Sequence, residues 1–339
     1  MNLSALIFPL LLMQGQSPES LSDRALEMAQ QKRFAEAEKL WKQALAVSPD
    51  HFSSSFNLGF LYYSRGQFAL AEPCLARAAK LEPKDFNARY ILGAALQQLG
   101  RSDDALREWR AALKIRPDQV KLMQIMAVEY GKGRYFRESA AVAERALALK
   151  NDDSNIYLIA IKSYVDAADS PSALRIAEQM IQRFPDLPRA NFEYGYQLHR
   201  AGKPAEAMPY LKKAMTGNQS YEEPFFFYGE ILLKEGRAAE AIVPLSRAVE
   251  LKRDYIAAWV TLARALMALG RYEEANAELD RAVKINPRHP QPHLLLSQLH
   301  FRLGREELAA REKEVSLKLR RENPEAMESP QGRPFPESR

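Results

Sequence analysis

The sequence has one cysteine, Cys74, among 339 residues. A single thiol excludes a disulfide within the chain and any metal cluster held by thiolates alone. We expect Cys74 to fill space as a small buried hydrophobe and not to act as a reactive thiol. The net charge is also small: 48 basic residues nearly balance 43 acidic ones, for a net charge of +5. Without a basic stripe, this balance predicts no nucleic-acid partner.

The sequence also lacks the patterns that carry catalysis. It shows no nucleophile elbow and no kinase signature, and Gly131-Lys132-Gly133 has neither the third glycine nor the preceding strand of a nucleotide loop. The histidines lack the spacing and the acidic third ligand of a helical metal site, so we expect them to be solvated or packed. They are His51, His199, His289, His293 and His300. We therefore predict no catalytic residue, cofactor or metal, and a protein that is not an enzyme.

The N-terminus carries an apolar run from Leu3 to Met13, interrupted only by Ser4 and Pro9. The run is too short to span a bilayer and fits the core of a signal peptide over residues 1–16, although no Lys or Arg precedes it. This favours export, with a periplasmic location and no membrane span after processing. Two alternatives stay open: an uncleaved anchor, and a cytoplasmic protein in which the segment packs on the first helix.

Beyond this segment, a helix–turn–helix pattern recurs every 34 residues, as in 256–289. The 34-residue spacing holds without insertion or deletion. It therefore predicts a repeat array in place of the two or three ordinary domains that the chain length would otherwise suggest. The units are 18–51, 52–85, 86–119, 120–153, 154–187, 188–221, 222–255, 256–289 and 290–321.

Three columns of the repeat hold small residues, which let neighbouring helices approach closely. The twentieth position is the most regular, with Ser at one unit and Ala at the other eight. Glycines recur at one position of the repeat and predict the turn after the first helix. Prolines recur at a second position, where they prevent the second helix from continuing. The glycines are Gly66, Gly100, Gly202, Gly236, Gly270 and Gly304, and the prolines are Pro49, Pro83, Pro117, Pro185 and Pro287.

The pattern of the repeat is an aromatic residue, then Leu-Gly, then Tyr, then Gly-Arg-Tyr-x-Glu-Ala, then an aromatic residue or Leu, Ala and a closing Pro. This pattern resembles the tetratricopeptide repeat. The resemblance covers residues 17–321 and extends to exported bacterial members of that family. It implies an all-α fold: a right-handed superhelical solenoid of antiparallel helix pairs, with first helices lining a concave groove. The tail, 322–339, has four prolines and little to bury, so we expect it to be disordered.

Unit 154–187 departs from the pattern. Ile161 and Met180 stand where small residues recur, and Ala168 to Pro171 replace the glycine turn. We therefore predict less regular packing over 134–171.

By the resemblance, the groove is lined by the second, fifth, ninth, twelfth and thirteenth positions of each first helix. Aromatic rings interleaved with cations there would suit an extended peptide. Unit 256–289 should leave Val260, Arg264 and Met267 on this face. The candidate partner-binding residues are Phe60, Tyr63, Tyr90, Arg189, Phe192, Tyr196, His199, Arg200, Phe226, Lys234, Arg264, Phe301 and Arg302.

Two specialised uses of the family's groove are not supported. The carboxylate clamp needs Lys and Asn where the first unit has Ser22 and Leu26, and only Asn57 fits an asparagine ladder. We predict a scaffold that binds a protein or peptide partner in its groove. The alternative is an accessory subunit of an enzyme complex, for example one acting on the cell envelope or on glycans.

Overall fold

A computed structural model describes residues 17–216 and 221–322 of the chain. The chain divides into two compact units, residues 1–150 and 151–339, and each is considered by itself. The predicted signal peptide, 1–16, and all but the first residue of the predicted disordered tail lie outside the described residues.

The N-terminal unit contains four antiparallel helix pairs, each joined by a short turn. The helices are α1 (Pro18–Gln30), α2 (Phe34–Val47), α3 (Phe52–Ser64), α4 (Phe68–Leu81), α5 (Phe86–Gln98), α6 (Ser102–Ile115), α7 (Val120–Lys132) and α8 (Phe136–Leu149). Odd-numbered helices are the first helices of the repeats, and even-numbered helices are the second ones.

The C-terminal unit continues the same alternation with five pairs. Its helices are α9 (Ser154–Asp166), α10 (Ser170–Arg183), α11 (Pro188–Arg200), α12 (Pro204–Ala214), α13 (Glu223–Lys234), α14 (Ala238–Leu251), α15 (Ile256–Ala268), α16 (Tyr272–Ile285), α17 (Pro290–Arg302) and α18 (Glu306–Glu322). Within the described ranges no strand occurs, which confirms the predicted all-α class of paired helices.

The small-residue columns form the contact between paired helices. Alanines of the twentieth column, such as Ala71 and Ala241, are completely buried. Glycines of the eighth column face a large side chain of the second helix: a Cβ on Gly59 would lie 2.7 Å from Cγ of Leu75, and one on Gly229 2.6 Å from Cγ of Leu245. The missing side chain therefore sets how closely the two helices approach.

The six phased glycines adopt φ between +70° and +78°, as the predicted turn requires. In the three units without a glycine at this phase, the backbone takes the same left-handed conformation at Lys32, Arg134 and Ala168, with φ of 62°, 63° and 57°. The turn is therefore imposed by the packing of the two helices and does not depend on glycine being present.

The phased prolines follow the second helices, as predicted. Pro49 lies two residues after α2 ends, and Pro287 two residues after α16 ends. The division between the units, at residues 150 and 151, falls inside the 134–171 region whose repeats depart from the pattern. Among the described helices, none is long and apolar enough to cross a membrane.

Candidate functional site

The candidate site is the side of the first helices that carries the second, fifth, ninth, twelfth and thirteenth repeat positions. We call this the first-helix face. Positions five, nine and thirteen are one helical turn apart and therefore lie on one side of the helix. The two units are described separately.

In the N-terminal unit the first-helix face exposes apolar side chains. Phe60 is 47% exposed, Leu26 44% and Val128 45%. Along α3, Phe52 stacks on Phe56 with ring centroids 5.9 Å apart, and Phe56 stacks on Phe60 at 6.3 Å. Because each ring sits one turn from the next, the three rings form a ladder that ends at the open edge of Phe60.

The other predicted residues of this unit are partly buried beside the ladder. Tyr90 stacks on Phe86 with centroids 5.7 Å apart, and the guanidinium of Arg116 lies 4.8 Å from the Phe86 centroid. The ring centroids of Tyr63 and Phe68 lie 5.6 Å apart. Tyr90 and Tyr63 are therefore half-buried, and each packs on a ring of its own repeat.

In the C-terminal unit three of the predicted aromatic residues, Phe192, Tyr196 and Phe226, come together but are buried. Phe192 is only 2% exposed, stacks on Tyr196 at 5.7 Å and lies 6.3 Å from Phe227. Phe226 contacts Phe227 at 5.0 Å and Tyr255 at 4.9 Å. These rings belong to the hydrophobic core of the unit, so they do not present their faces to an incoming ligand.

The predicted cation Arg189 is engaged within the chain. Its Nη2 lies 2.7 Å from Oε1 of Glu193, a carboxylate that is completely buried. Its guanidinium also lies 5.3 Å from the Phe192 ring centroid and 5.6 Å from that of Tyr221. A charged partner would have to compete with an ion pair and two cation–π contacts already in place.

Burial shifts the protonation of the groups around this pair. Desolvation raises the pKa of Glu193 to about 6, although the nearby Arg189 opposes the shift. Burial raises the pKa of the Tyr221 hydroxyl to about 12 and also raises the pKa values of Glu223 and Tyr255. A strongly perturbed cluster of this kind accompanies functional sites, but structural ion pairs produce it as well.

A second charged group follows on α11 and α13. Nε2 of His199 lies 3.2 Å from Oε2 of Glu230, and Nζ of Lys234 lies 2.9 Å from Oε1 of the same carboxylate. These contacts hold the pKa of Glu230 below its usual value despite its desolvation. The guanidinium of Arg200 lies 5.9 Å from the Tyr196 ring centroid.

The remaining predicted residues of this unit are exposed, as Lys234 is. Phe301 is 71% exposed, and Arg264 and Arg302 also face solvent. The expectation that Val260 and Met267 share the open face with Arg264 is wrong, because both are buried in the core of the unit. Neighbouring helices cover them more tightly than the repeat position alone indicates.

Three carboxylates are buried in the described part of the chain, and the repeat pattern did not predict their burial: Glu129, Glu193 and Glu222. Oε2 of Glu129 accepts from Nε2 of Gln97 at 2.7 Å, Oε1 accepts from the hydroxyl of Ser102, and Nζ of Lys132 lies 3.3 Å from Oε2. A position's burial depends on which helix faces it, which a one-helix pattern does not contain.

The chemistry-bearing residues outside this face are packed. His293 is buried, with Nδ1 2.6 Å from a carboxylate oxygen of Glu312 and Nε2 3.1 Å from the carbonyl oxygen of Pro287. Cys74 is half-buried, which corrects the expectation of full burial, and desolvation raises the pKa of its thiol. In the described part of the chain, no cluster of three or more metal-ligating side chains occurs.

Comparison with curated proteins finds short matches to larger proteins. A segment of 98 residues is 28% identical to the peroxisomal targeting signal receptor of Saccharomyces cerevisiae and covers 29% of this chain and 16% of that protein. A segment of 180 residues is 24% identical to anaphase-promoting complex subunit 3 of Schizosaccharomyces pombe and covers 53% of this chain and 27% of that protein. The chain thus spans only a minor part of the length of these relatives.

Among solved structures, PilW, described as a widely conserved type IV pilus biogenesis factor, superposes with a TM-score of 0.52 at 23% identity, over 62% of this chain and 96% of that one. This likeness establishes a shared fold only. Two family models, both described as tetratricopeptide repeat, match residues 28–87 and 232–299, and residues 61–120 and 160–221. The matches, the repeat register and the helix pairs agree: the chain belongs to the tetratricopeptide repeat family.

Proposed function

We propose that this protein is a non-catalytic scaffold that binds a protein or peptide partner on its first-helix face. The observation that carries the proposal is the row of exposed apolar side chains on the N-terminal unit, with Leu26, Phe60 and Val128 all close to half exposed. Apolar side chains at corresponding positions of separate helices form a contiguous patch when those helices pack side by side. Such patches on soluble proteins mark interaction surfaces.

The relatives agree with a binding role. One is named as a receptor for a targeting signal and another as a subunit of a complex. Neither name implies catalysis by the matched segment. The near balance of basic and acidic residues supports a protein partner over a nucleic acid, because a nucleic-acid surface needs an excess of cations.

The alternative is an accessory subunit of an enzyme complex. The subunit name of the second relative favours this reading, since its matched segment covers more than half of this chain. The two proposals share the same binding surface and differ in what the partner does. Identifying the partner therefore decides between them.

The test places a photo-crosslinking amino acid at position 60, on the first-helix face, and in a second variant at Leu70, which is exposed on the second helix α4. Both variants are expressed in the native host as full chains, illuminated, and their adducts identified by mass spectrometry. We expect a defined protein adduct at position 60 and none at position 70. Equal labelling of both positions by many proteins, or no adduct at all, would overturn the proposal.

We also propose that the protein is exported, on the apolar run between Leu3 and Met13. N-terminal sequencing of the mature protein tests this. A new N-terminus near residue 17 is the expected result, and an intact Met1 in the cytoplasmic fraction would contradict it.

A further inference from the structure

The two units differ in the polarity of the residues at the ninth repeat position. In the N-terminal unit it is apolar in all four repeats: Leu26, Phe60, Ala94 and Val128. In the C-terminal unit it is polar or charged throughout, with Lys162, Tyr196, Glu230, Arg264 and Gln298. Three of the four apolar side chains are close to half exposed and Ala94 is partly exposed, so this apolar column reaches solvent along the whole N-terminal unit.

A second column runs beside the first. The thirteenth position lies one helical turn further along each first helix and carries Gln30, Ser64, Gln98 and Lys132. The first three are exposed and uncharged, so the charge of this column is confined to its last repeat. In the C-terminal unit the same column contains Asp166, Arg200, Lys234 and Arg302.

The spacing of the apolar column follows from helix packing. Helices α1 and α3 contact each other, as do α3 and α5. Contacting helices have axes about 8–10 Å apart, so equivalent side chains on α1, α3 and α5 repeat at about that distance. A polyproline II segment completes one turn in three residues and rises about 9.3 Å in doing so. Its side chains at every third residue therefore match the column.

We propose that the first-helix face of the N-terminal unit recognises an extended, polyproline II-like segment of the partner, with an uncharged apolar side chain at every third residue. This rests on the proposed function and specifies its ligand. The apolar side chains lie on the ninth-position column. Main-chain groups of the segment, which an extended chain leaves without internal partners, hydrogen-bond the neutral side chains of Gln30, Ser64 and Gln98.

Two features favour this ligand over others. An α-helix with apolar residues seven apart matches the same spacing, at about 10.5 Å, but its main-chain groups are already bonded and leave the neutral column unused. A charged segment would have to bury its charges against exposed apolar side chains such as Phe60. The charged groove positions of this unit are confined to its first and last repeats, at Glu19, Lys121 and Lys132, so the two middle repeats offer no opposite charge to compensate the lost hydration.

The test uses the full chain and fluorescein-labelled synthetic peptides. The first has Leu at every third residue in a Pro/Ser background. The second has the same composition with Leu at every second residue. The third is an Ala-rich helix with Leu residues seven apart, and the fourth is the first peptide with Glu in place of Leu. We expect the first peptide to bind at least about tenfold more tightly than each of the others by fluorescence anisotropy.

The variants locate the site. Phe60→Lys and Leu26→Lys should each weaken binding of the first peptide by at least about tenfold, whereas Phe60→Leu keeps most of it. Leu70→Lys, at an exposed position of the second helix α4 outside this face, should leave it unchanged. Thermal unfolding checks that each variant is folded. We expect both lysine variants to fold, because Phe60 and Leu26 are exposed and a charge at either position stays in solvent.

Several outcomes would overturn the inference: equal or tighter binding of the helical or glutamate peptide, binding of none of the peptides, or unchanged binding by the folded Phe60→Lys and Leu26→Lys variants. These leave the proposed function intact if a native partner still crosslinks at position 60. Loss of the native crosslink removes the proposed function itself, so the two failures are distinguishable.

Discussion

Gly93 on α5 lies directly against the indole of Trp109 on α6, so that a Cβ at Gly93 would be 2.4 Å from Nε1 and 2.5 Å from Cδ1. The indole is fixed in this place because its N–H donates to the carbonyl oxygen of Tyr90 at 3.1 Å. The close approach of α5 to the indole on α6 therefore depends on the absence of a methyl group at position 93.

Gly93→Ala should lower the free energy of unfolding by about 1–3 kcal/mol, because the rigid indole has to move and lose its hydrogen bond. Gly131→Ala is the matched control. It also lies in a first helix, but the nearest atom to its Cβ is Oγ of Ser139 at 3.9 Å. There the gain in helix propensity should raise stability by up to about 1 kcal/mol. Urea unfolding of both variants measures the contrast, and similar losses in both would contradict the steric account.

The left-handed turns give a second prediction. Ala168 has φ of 57° without being glycine, and this conformation costs a residue with a Cβ about 1–2 kcal/mol. Ala168→Gly should therefore raise the free energy of unfolding by about 1 kcal/mol, less the entropy that glycine adds to the unfolded chain. Gly270→Ala should have the opposite sign, since no atom lies within 4 Å of its Cβ position and only the backbone conformation is penalised. A melting temperature that falls in Ala168→Gly would refute this.

The buried Glu193 predicts a pH dependence. Its pKa is raised from 4.5 to about 6 in the folded protein. A raised carboxyl pKa means that the native state binds the proton more tightly, so its stabilising contribution is complete below pH 4.5 and is lost as the pH rises through about 6. The loss amounts to about 2 kcal/mol.

Glu193→Gln should remove this component, so the difference in unfolding free energy between wild type and variant should change over pH 4.5–6 and stay level from pH 6.5 to 8. Denaturant titrations at intervals of half a pH unit measure it. A difference that is constant from pH 4 to 8 would show that the Glu193 pKa is not raised.

Glu129 gives a fourth prediction. Its carboxylate accepts from side chains of two other helices, Gln97 on α5 and Ser102 on α6. Glu129→Ala leaves these half-buried donors without this acceptor and should cost about 1–3 kcal/mol. Glu274→Ala removes a carboxylate that pairs with Arg271 in solvent and should leave the unfolding midpoint unchanged. Equal effects of the two substitutions would mean that the Glu129 network contributes no more than a surface pair.

The departures in unit 154–187 give the fifth prediction. The structure forms both helices there, but Ile161 and Met180 occupy columns that are small elsewhere, and the division between the compact units lies at residues 150 and 151. Native-state hydrogen exchange should show lower protection in α8 and α9 than in α11 to α16. Equal protection in both regions would contradict it.

Much of the fold was predictable because the same pattern of apolar, small and turn residues recurs in successive repeats. A single glycine before a charged helix is weak evidence of a turn, but Gly66 and Gly270 belong to a column at a constant spacing. The helix pairs, their turns and their small contact residues follow from this register. Even so, the left-handed turns at Lys32 and Arg134 were not predicted, since no residue there marks them.

The candidate site was predictable only as a set of positions. Phe60 and Phe192 both occupy groove positions of aromatic type, yet Phe60 is 47% exposed and Phe192 2%. The difference arises from neighbours far apart in sequence: Phe192 packs against Tyr221, at the end of its own repeat, and Phe227 of the next repeat, whereas Phe60 ends its ladder at the surface. Leu26 and Val128 were not predicted, because the predicted site was composed of aromatic rings, cations and a histidine.

The sequence by itself determined the repeat unit, its register and the helical class, because the period of apolar, small and turn residues is a local property of the chain. Only the tertiary structure decided which groove positions are open, that Arg189 is already paired with Glu193, and that an exposed apolar column runs along the N-terminal unit. Burial and pairing depend on which side chains of neighbouring helices occupy the same space, and no single repeat contains that information.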